Sequence, residues 1–197
     1  KEIGQVGAIA ALDLRKPLVL GHSMGAVTTL TLAGLYPDLP GAILLEDPPP
    51  FWGAADVLAA QAERRKGMGA GITQLKRKTR DEMLAECRVS SPNWAEDEYG
   101  PWADAKLRLS FNVLSDITNP QPIDIRAAVR NITCPALMFT ADTALGGLTN
   151  QAQAQDFQSL TPHLQIAHIA GAGHSIHRDQ PAAFLAAMRA FLNSVNG

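Results

Sequence analysis

Apolar residues fall along this chain in short unbroken runs, separated by stretches whose apolar positions recur at helical spacing. Pro17-Leu18-Val19-Leu20 predicts a buried strand, Ala26 to Ala33 a helix ending near Tyr36-Pro37, and Gly41 to Leu45 a second buried strand stopped by Pro48-Pro49-Pro50. Before them, Lys1 to Leu14 reads as a helix that ends ahead of Pro17. From Phe51 to about Asn131 the pattern changes to charged helical pieces, Ala54 to Lys66 and Thr79 to Cys87, with no convincing strand. A strand at Ala136 to Thr140, a helix around Asn150 to Leu160, a strand at Leu164 to Ile169 and a closing helix from Pro181 to Leu192 complete the order. Strands alternating with helices predict an α/β fold: a parallel sheet covered on both faces, with one helical insertion. That insertion is expected over the carboxyl ends of the strands, where open sheets bind ligands.

The composition leaves this picture in place and narrows the partners. The 197 residues are 46% hydrophobic and 18% charged, with a formal net charge of -2, which suits one globular α/β domain. The basic clusters Arg64-Arg65-Lys66 and Lys76-Arg77-Lys78 are offset by Glu63, Asp81 and Glu82, so they read as solvated helix faces and no nucleic-acid partner is expected. Apolar runs such as Ala8 to Leu14 and Ala182 to Leu192 are broken by Asp13 and Arg189, so no membrane span is expected. Cys87 and Cys134 share no metal-ligand or redox spacing and read as free thiols of a reducing, cytoplasmic compartment. The chain opens on Lys1, with neither an initiating Met nor a signal-peptide pattern, and the expectation is a longer polypeptide.

Candidate chemistry begins at Gly21-His22-Ser23-Met24-Gly25, between the first strand and the helix that follows it. A strand that turns directly into a helix through G-x-S-x-G holds the serine on a strained turn with its hydroxyl above the sheet. Ser23 is therefore the candidate nucleophile. Side chains at Gly21 or Gly25 are expected to collide with their surroundings, and the helix N-terminus places partial positive charge beside any oxyanion. The backbone N–H of Met24 is the expected donor to that oxyanion.

Near the other end, Gly171-Ala172-Gly173 forms a small-residue loop after a strand, a setting from which the imidazole of His174 can reach Ser23 as a general base. The other histidines read differently. His22 is expected to pack within the turn, His163 to lie on the surface, His168 to be a hydrogen-bonded core residue, and His177 to begin the last helix. His174 and His177 lack a third ligand nearby in sequence, so no metal or other cofactor is expected.

Gly-His-Ser-Met-Gly, then Pro135 to Asp142, then Gly171-Ala172-Gly173-His174 follow one another in an order that resembles the serine-nucleophile branch of the α/β-hydrolase family, with a helical cap inserted after the strand that follows the nucleophile helix. The resemblance spans nearly the whole chain. It implies core regions at residues 1–50 and 132–197, with the nucleophile elbow in the first and the acid and histidine in the second, and a helical cap at residues 51–131. It also implies that the N-terminal half of the sheet is missing, including the loop that lends the second oxyanion donor. The strand before Ser23 would then lie at an edge, covered by further residues or by a second copy in a homo-oligomer.

The acid has two candidates. Asp142 directly follows a buried strand and is the first choice to fix the tautomer of His174. Many relatives place the acid slightly farther along that loop, and in some branches it ends the preceding strand, where Glu46-Asp47 stands. With Ser23, His174 and Asp142 as a triad, the expected activity is carboxylic-ester hydrolysis through an acyl-enzyme. The aromatics Phe51, Trp52, Trp94, Tyr99, Trp102 and Phe111 point to a small-molecule ester with an apolar acyl or aryl group, unless they only pack the cap. The alternatives on this scaffold are a C–C bond hydrolase, a perhydrolase, a thioesterase, or a weakly catalytic ligand-binding protein.

Overall fold

A computed structural model describes residues 4–53, 55–112 and 123–196. The chain divides into two compact units, one formed by Lys1–Leu58 with Asp124–Gly197 and the other by Ala59–Ile123.

The first unit is built on four parallel strands, β1 (Leu18–His22), β2 (Ala42–Glu46), β3 (Ala136–Ala141) and β4 (Leu164–Ile169), in the spatial order β1-β2-β3-β4. Each apolar run of the sequence is one of these strands. Every residue of β2 and β3 is buried, as expected for strands covered on both faces. Alternation divides their side chains between two cores. Ile43, Leu45, Ala136 and Met138 face α2 (Met24–Leu35), α6 (Ile125–Arg130) and α7 (Gln151–Leu160). Leu44, Leu137 and Phe139 face the opposite way, toward α8 (Ile176–Asp179) and α9 (Pro181–Asn196) through Ile176, Phe184 and Phe191. Burying side chains of this size contributes about 1.5–3 kcal/mol each, so these strand-helix contacts dominate the sheet's stability.

The helix after Ser23 departs from a simple amphipathic pattern. Eight of its residues, from Ala26 to Gly34, are buried, because α2 packs on β1 and β2 and also against α6 and α1 (Gly4–Ala11). The edge position of the strand before Ser23 is observed: β1 pairs only with β2 among the described residues, and Leu18 and Leu20 are 48% and 43% exposed.

The second unit is helical, made of most of α3 (Ala55–Leu75) with α4 (Arg80–Ser90) and α5 (Glu96–Arg108). The helix α3 continues beyond the charged piece that ends at Lys66, through Gly67, Gly69 and Gly71. A glycine inside a helix costs only about 1 kcal/mol relative to alanine, too little to end a helix otherwise supported. Thr79 and Glu82 form a capping box at the start of α4, and Cys87, Trp94 and Tyr99 form the core of the unit. The unit boundaries lie inside the helical region drawn from sequence. Phe51–Gly53 and Asp124–Asn131 fold with the sheet, where Trp52 is buried with its indole N–H donating to the Gln153 carbonyl at 3.1 Å. Arg126 donates to the Trp52 carbonyl and pairs with Asp156. The expected helical starts at Lys1 and Ala54 lie outside the described residues. Among the described residues, no helix is long and apolar enough to cross a membrane.

Candidate active site

Ser23 stands between β1 and α2 with φ 56 and ψ -120, a left-handed conformation that a non-glycine residue adopts only where its surroundings enforce it. Two contacts do so. Its N–H donates to the Glu46 carbonyl at 2.9 Å, and its carbonyl accepts from Ala26 and Val27. A Cβ at Gly21 would sit 2.2 Å from the Gly25 carbonyl oxygen, so the turn closes only with glycine there. The matching expectation for Gly25 does not hold: a Cβ there meets nothing within 4 Å, because that side of the first helical turn faces away from the described residues. Met24 is the first residue of α2, and its N–H is among the four at a helix start that lack an acceptor within the helix.

His174 lies in the loop after β4 and bridges two side chains. Its Nε2 is 3.0 Å from Ser23 Oγ and its Nδ1 is 2.7 Å from Asp47 Oδ2. With the proton on Nδ1 donated to Asp47, Nε2 keeps a lone pair for the Ser23 hydroxyl. Asp47 follows β2 and is fully buried at φ 40. Its carboxylate also accepts from the N–H groups of Leu148 and Thr149, at 2.9–3.1 Å. A buried carboxylate needs such donors, and these two hold its oxygens toward the imidazole.

The structure therefore corrects the expected placement of Asp142. Its Oδ1 accepts from His168 Nε2 at 3.0 Å and its Oδ2 from the Gly171 N–H at 2.7 Å, so it does not face His174. The reason is strand order. Ser23 follows β1, and β2 is the neighbouring strand, whereas Asp142 follows β3, one ladder spacing of about 4.8 Å farther away. His168 is not a core residue either: its side chain is 52% exposed at the sheet edge, held between Asp142 and Thr140 Oγ1. His163 is exposed, as expected, and its Nε2 lies 3.0 Å from the Ile132 carbonyl.

Glu46 carries a function that sequence reasoning raised only as an alternative acid. It is buried and accepts from both the backbone N–H and the Nδ1–H of His177, at 2.9 and 2.8 Å, so it anchors the start of α8. Burial opposes its ionisation, but the two bonds from His177 outweigh it and hold the carboxyl below its ordinary range. His22 packs within the turn, as expected, with its ring centroid 4.6 Å from that of His174 and 5.4 Å from that of His177. Its Nε2–H donates to the His174 carbonyl at 2.9 Å. Burial pushes the His22 imidazole below its ordinary value, although Glu46 works against the shift. The signal available in the sequence was the pair Glu46-Asp47 at a strand end before Pro48, two carboxylates that serve two histidines. Among the described residues, no three His, Cys, Asp or Glu side chains are grouped to hold a metal ion.

Three of the aromatics that pointed to an apolar substrate are engaged in packing, whereas Phe111 is 55% exposed. Trp52 meets Phe157 edge-on at 4.9 Å, and Trp94 stacks on Tyr99, whose hydroxyl donates to the Ser91 carbonyl.

The model of the Alpha/beta hydrolase family matches residues 2–187. Two curated relatives are each 26% identical to this chain. One is 2-(acetamidomethylene)succinate hydrolase of Mesorhizobium japonicum, covering 95% of this chain and 68% of the relative. The other is N-formylmaleamate deformylase of Pseudomonas putida, covering 93% and 66%. The chain thus spans about two thirds of the length of these relatives. The crystal structure of E-2-(acetamidomethylene)succinate hydrolase superposes with a TM-score of 0.76 at 22% identity, over 96% of this chain and 71% of that one.

Proposed function

This chain belongs to the alpha/beta hydrolase family, and we propose that it is a serine hydrolase that cleaves a small N-acyl compound through an acyl-enzyme. The observation that carries this reading is the His174 imidazole, held between Ser23 Oγ at 3.0 Å and Asp47 Oδ2 at 2.7 Å. Ser23 Oγ attacks the acyl carbon while its proton passes to His174 Nε2, and Asp47 stabilises the imidazolium. The developing oxyanion meets the Met24 N–H at the start of α2. As the intermediate collapses, His174 gives its proton to the leaving nitrogen. Water then attacks the acyl-enzyme with His174 again as base, releasing the acid and restoring Ser23.

The sequence alone favoured a carboxylic ester. The relatives' names, an acetamido compound in one and a formyl group removed from an N-formyl compound in the other, favour an acyl group on nitrogen, and three of the aromatics cited for an apolar ester, Trp52, Trp94 and Tyr99, pack against other rings. Both bonds use the same nucleophile, so the substrate class is tested apart from the machinery. A fluorophosphonate followed by peptide mapping is expected to mark Ser23, and Ser23→Ala to abolish both labelling and turnover. A panel pairing small N-formyl and N-acetyl amides with aryl esters of the same acyl groups is expected to include an amide that is turned over. Turnover of esters alone would refute the amide reading and leave the serine reading standing.

A further inference from the structure

We infer that Asp142 is a positioning residue for the triad, the junction that holds the loop carrying His174 in register with the loop that cradles Asp47. The inference rests on the reading of Ser23, His174 and Asp47 as the catalytic groups. Asp142 uses three parts of itself at this junction. Its carboxylate Oδ2 accepts from the Gly171 N–H at 2.7 Å, and its own N–H donates to the Ala172 carbonyl at 3.0 Å. The last β3-β4 pair is Ala141 with Ile169, so these two bonds carry the pairing past the end of the sheet and into the segment that leads to His174. Its carbonyl accepts from the N–H groups of Leu145 and Gly147 at 2.9 and 3.1 Å, closing the turn that presents the N–H groups of Leu148 and Thr149 to Asp47.

The base-bearing loop needs such a hold. Gly171 has φ +75, a conformation in which its amide N–H leaves the strand ladder, and small residues on either side leave few side chains to fix the backbone. The second carboxylate oxygen is fixed in turn. His168 Nε2–H donates to Oδ1, and His168 Nδ1 accepts from the Thr140 hydroxyl at 3.2 Å, so the carboxylate is held from β3 and β4 together. Asp142 touches none of the reacting groups. It acts through Gly171 and Ala172 on where the His174 ring lies.

The test compares Asp142→Ala with Asp142→Asn in the 197-residue chain. Asparagine keeps an oxygen for the Gly171 N–H, and alanine removes it. Fluorophosphonate end-point stoichiometry counts competent sites, and turnover is expressed per labelled site, so a loss of folded protein does not pass for a loss of positioning. For Asp142→Ala, kcat per site is expected to fall about 10- to 100-fold with KM within about two-fold, the size of effect that a small misplacement of a catalytic group produces. The labelling rate falls with it, because labelling also needs His174. For Asp142→Asn, most of that loss is expected to be recovered. An alanine variant with parental kcat per site, or equal losses in both variants, overturns the inference. If the alanine variant does not fold, Asp142→Ser takes its place, since its hydroxyl is too short to reach Gly171, and parental kcat there overturns the inference in the same way. A parent chain that is neither labelled at Ser23 nor able to turn over any substrate fails at the triad instead, and the inference falls with it.

Discussion

Asp47 and Asp142 end neighbouring strands of one parallel sheet, yet only Asp47 reaches the His174 imidazole, at 2.7 Å, while Asp142 holds the backbone of the loop that carries it. Two carboxylates at nearly equivalent places in the chain thus have separable effects on the same histidine.

Asp47→Asn is expected to lower kcat by roughly four powers of ten, because an amide in place of the carboxylate favours the wrong tautomer of His174 and no longer stabilises its charge. Asp142→Asn is expected to lose far less. Steady-state kinetics of the two variants side by side decide the matter, and the reverse ranking would return the acid to Asp142.

That ranking also shows where the sequence stopped being legible. Ser23 and His174 could be found because their signals are local: an apolar strand, a turn closed by Gly21 and a helix for one, a small-residue loop after a strand for the other. The choice of acid is not local. Asp47 and Asp142 both follow buried strands, and which of them meets His174 depends on β2 lying next to β1, a fact of tertiary pairing. The strands were legible because their apolar runs are bounded by Pro and Gly. The length of α3 was not, since Gly67, Gly69 and Gly71 weaken a helix without ending it. Likewise, nothing in the spacing of Trp52, Trp94 and Tyr99 distinguishes residues that line a pocket from residues that pack against Phe157 or each other.

Gly21 and Gly25 of the turn are expected to respond differently to alanine. At Gly21 the added Cβ would lie 2.2 Å from the Gly25 carbonyl oxygen, a backbone atom fixed by the helix, and the cost is expected at the upper end of the roughly 1–3 kcal/mol typical of overpacking. At Gly25 the space is open. Thermal unfolding of Gly21→Ala and Gly25→Ala measures the contrast; equal losses would mean that the turn's tightness does not set the requirement.

The lowered value of His22 gives stability a pH dependence of defined sign. Burial makes the imidazole harder to protonate in the folded chain than in the unfolded one, so acid favours unfolding. The contribution is present in full above the unfolded histidine value of about 6.5 and is lost as the pH falls below it toward the folded value. His22→Gln, which keeps a donor for the His174 carbonyl, is expected to flatten this part of the stability profile. Denaturant midpoints of parent and variant, measured at steps from pH 7.5 to about 5, test it. Parallel curves would show that His22 titrates alike in both states.

The outer edge of β1 supplies the last expectation. Leu18 and Leu20 are 48% and 43% exposed on a strand that pairs on one side only among the described residues, and an apolar edge with free N–H and C=O groups is a template for another chain. The 197-residue chain is therefore expected to self-associate with rising concentration. Replacing both leucines by lysine places charge on that edge without emptying a core, because neither side chain belongs to the clusters around Leu45 or Phe139. Light scattering across a dilution series is expected to show the double variant smaller than the parent at high concentration, with its melting temperature nearly unchanged. A parent that stays monomeric throughout, or a variant that associates as strongly, would show that the edge of β1 is not the adhesive surface.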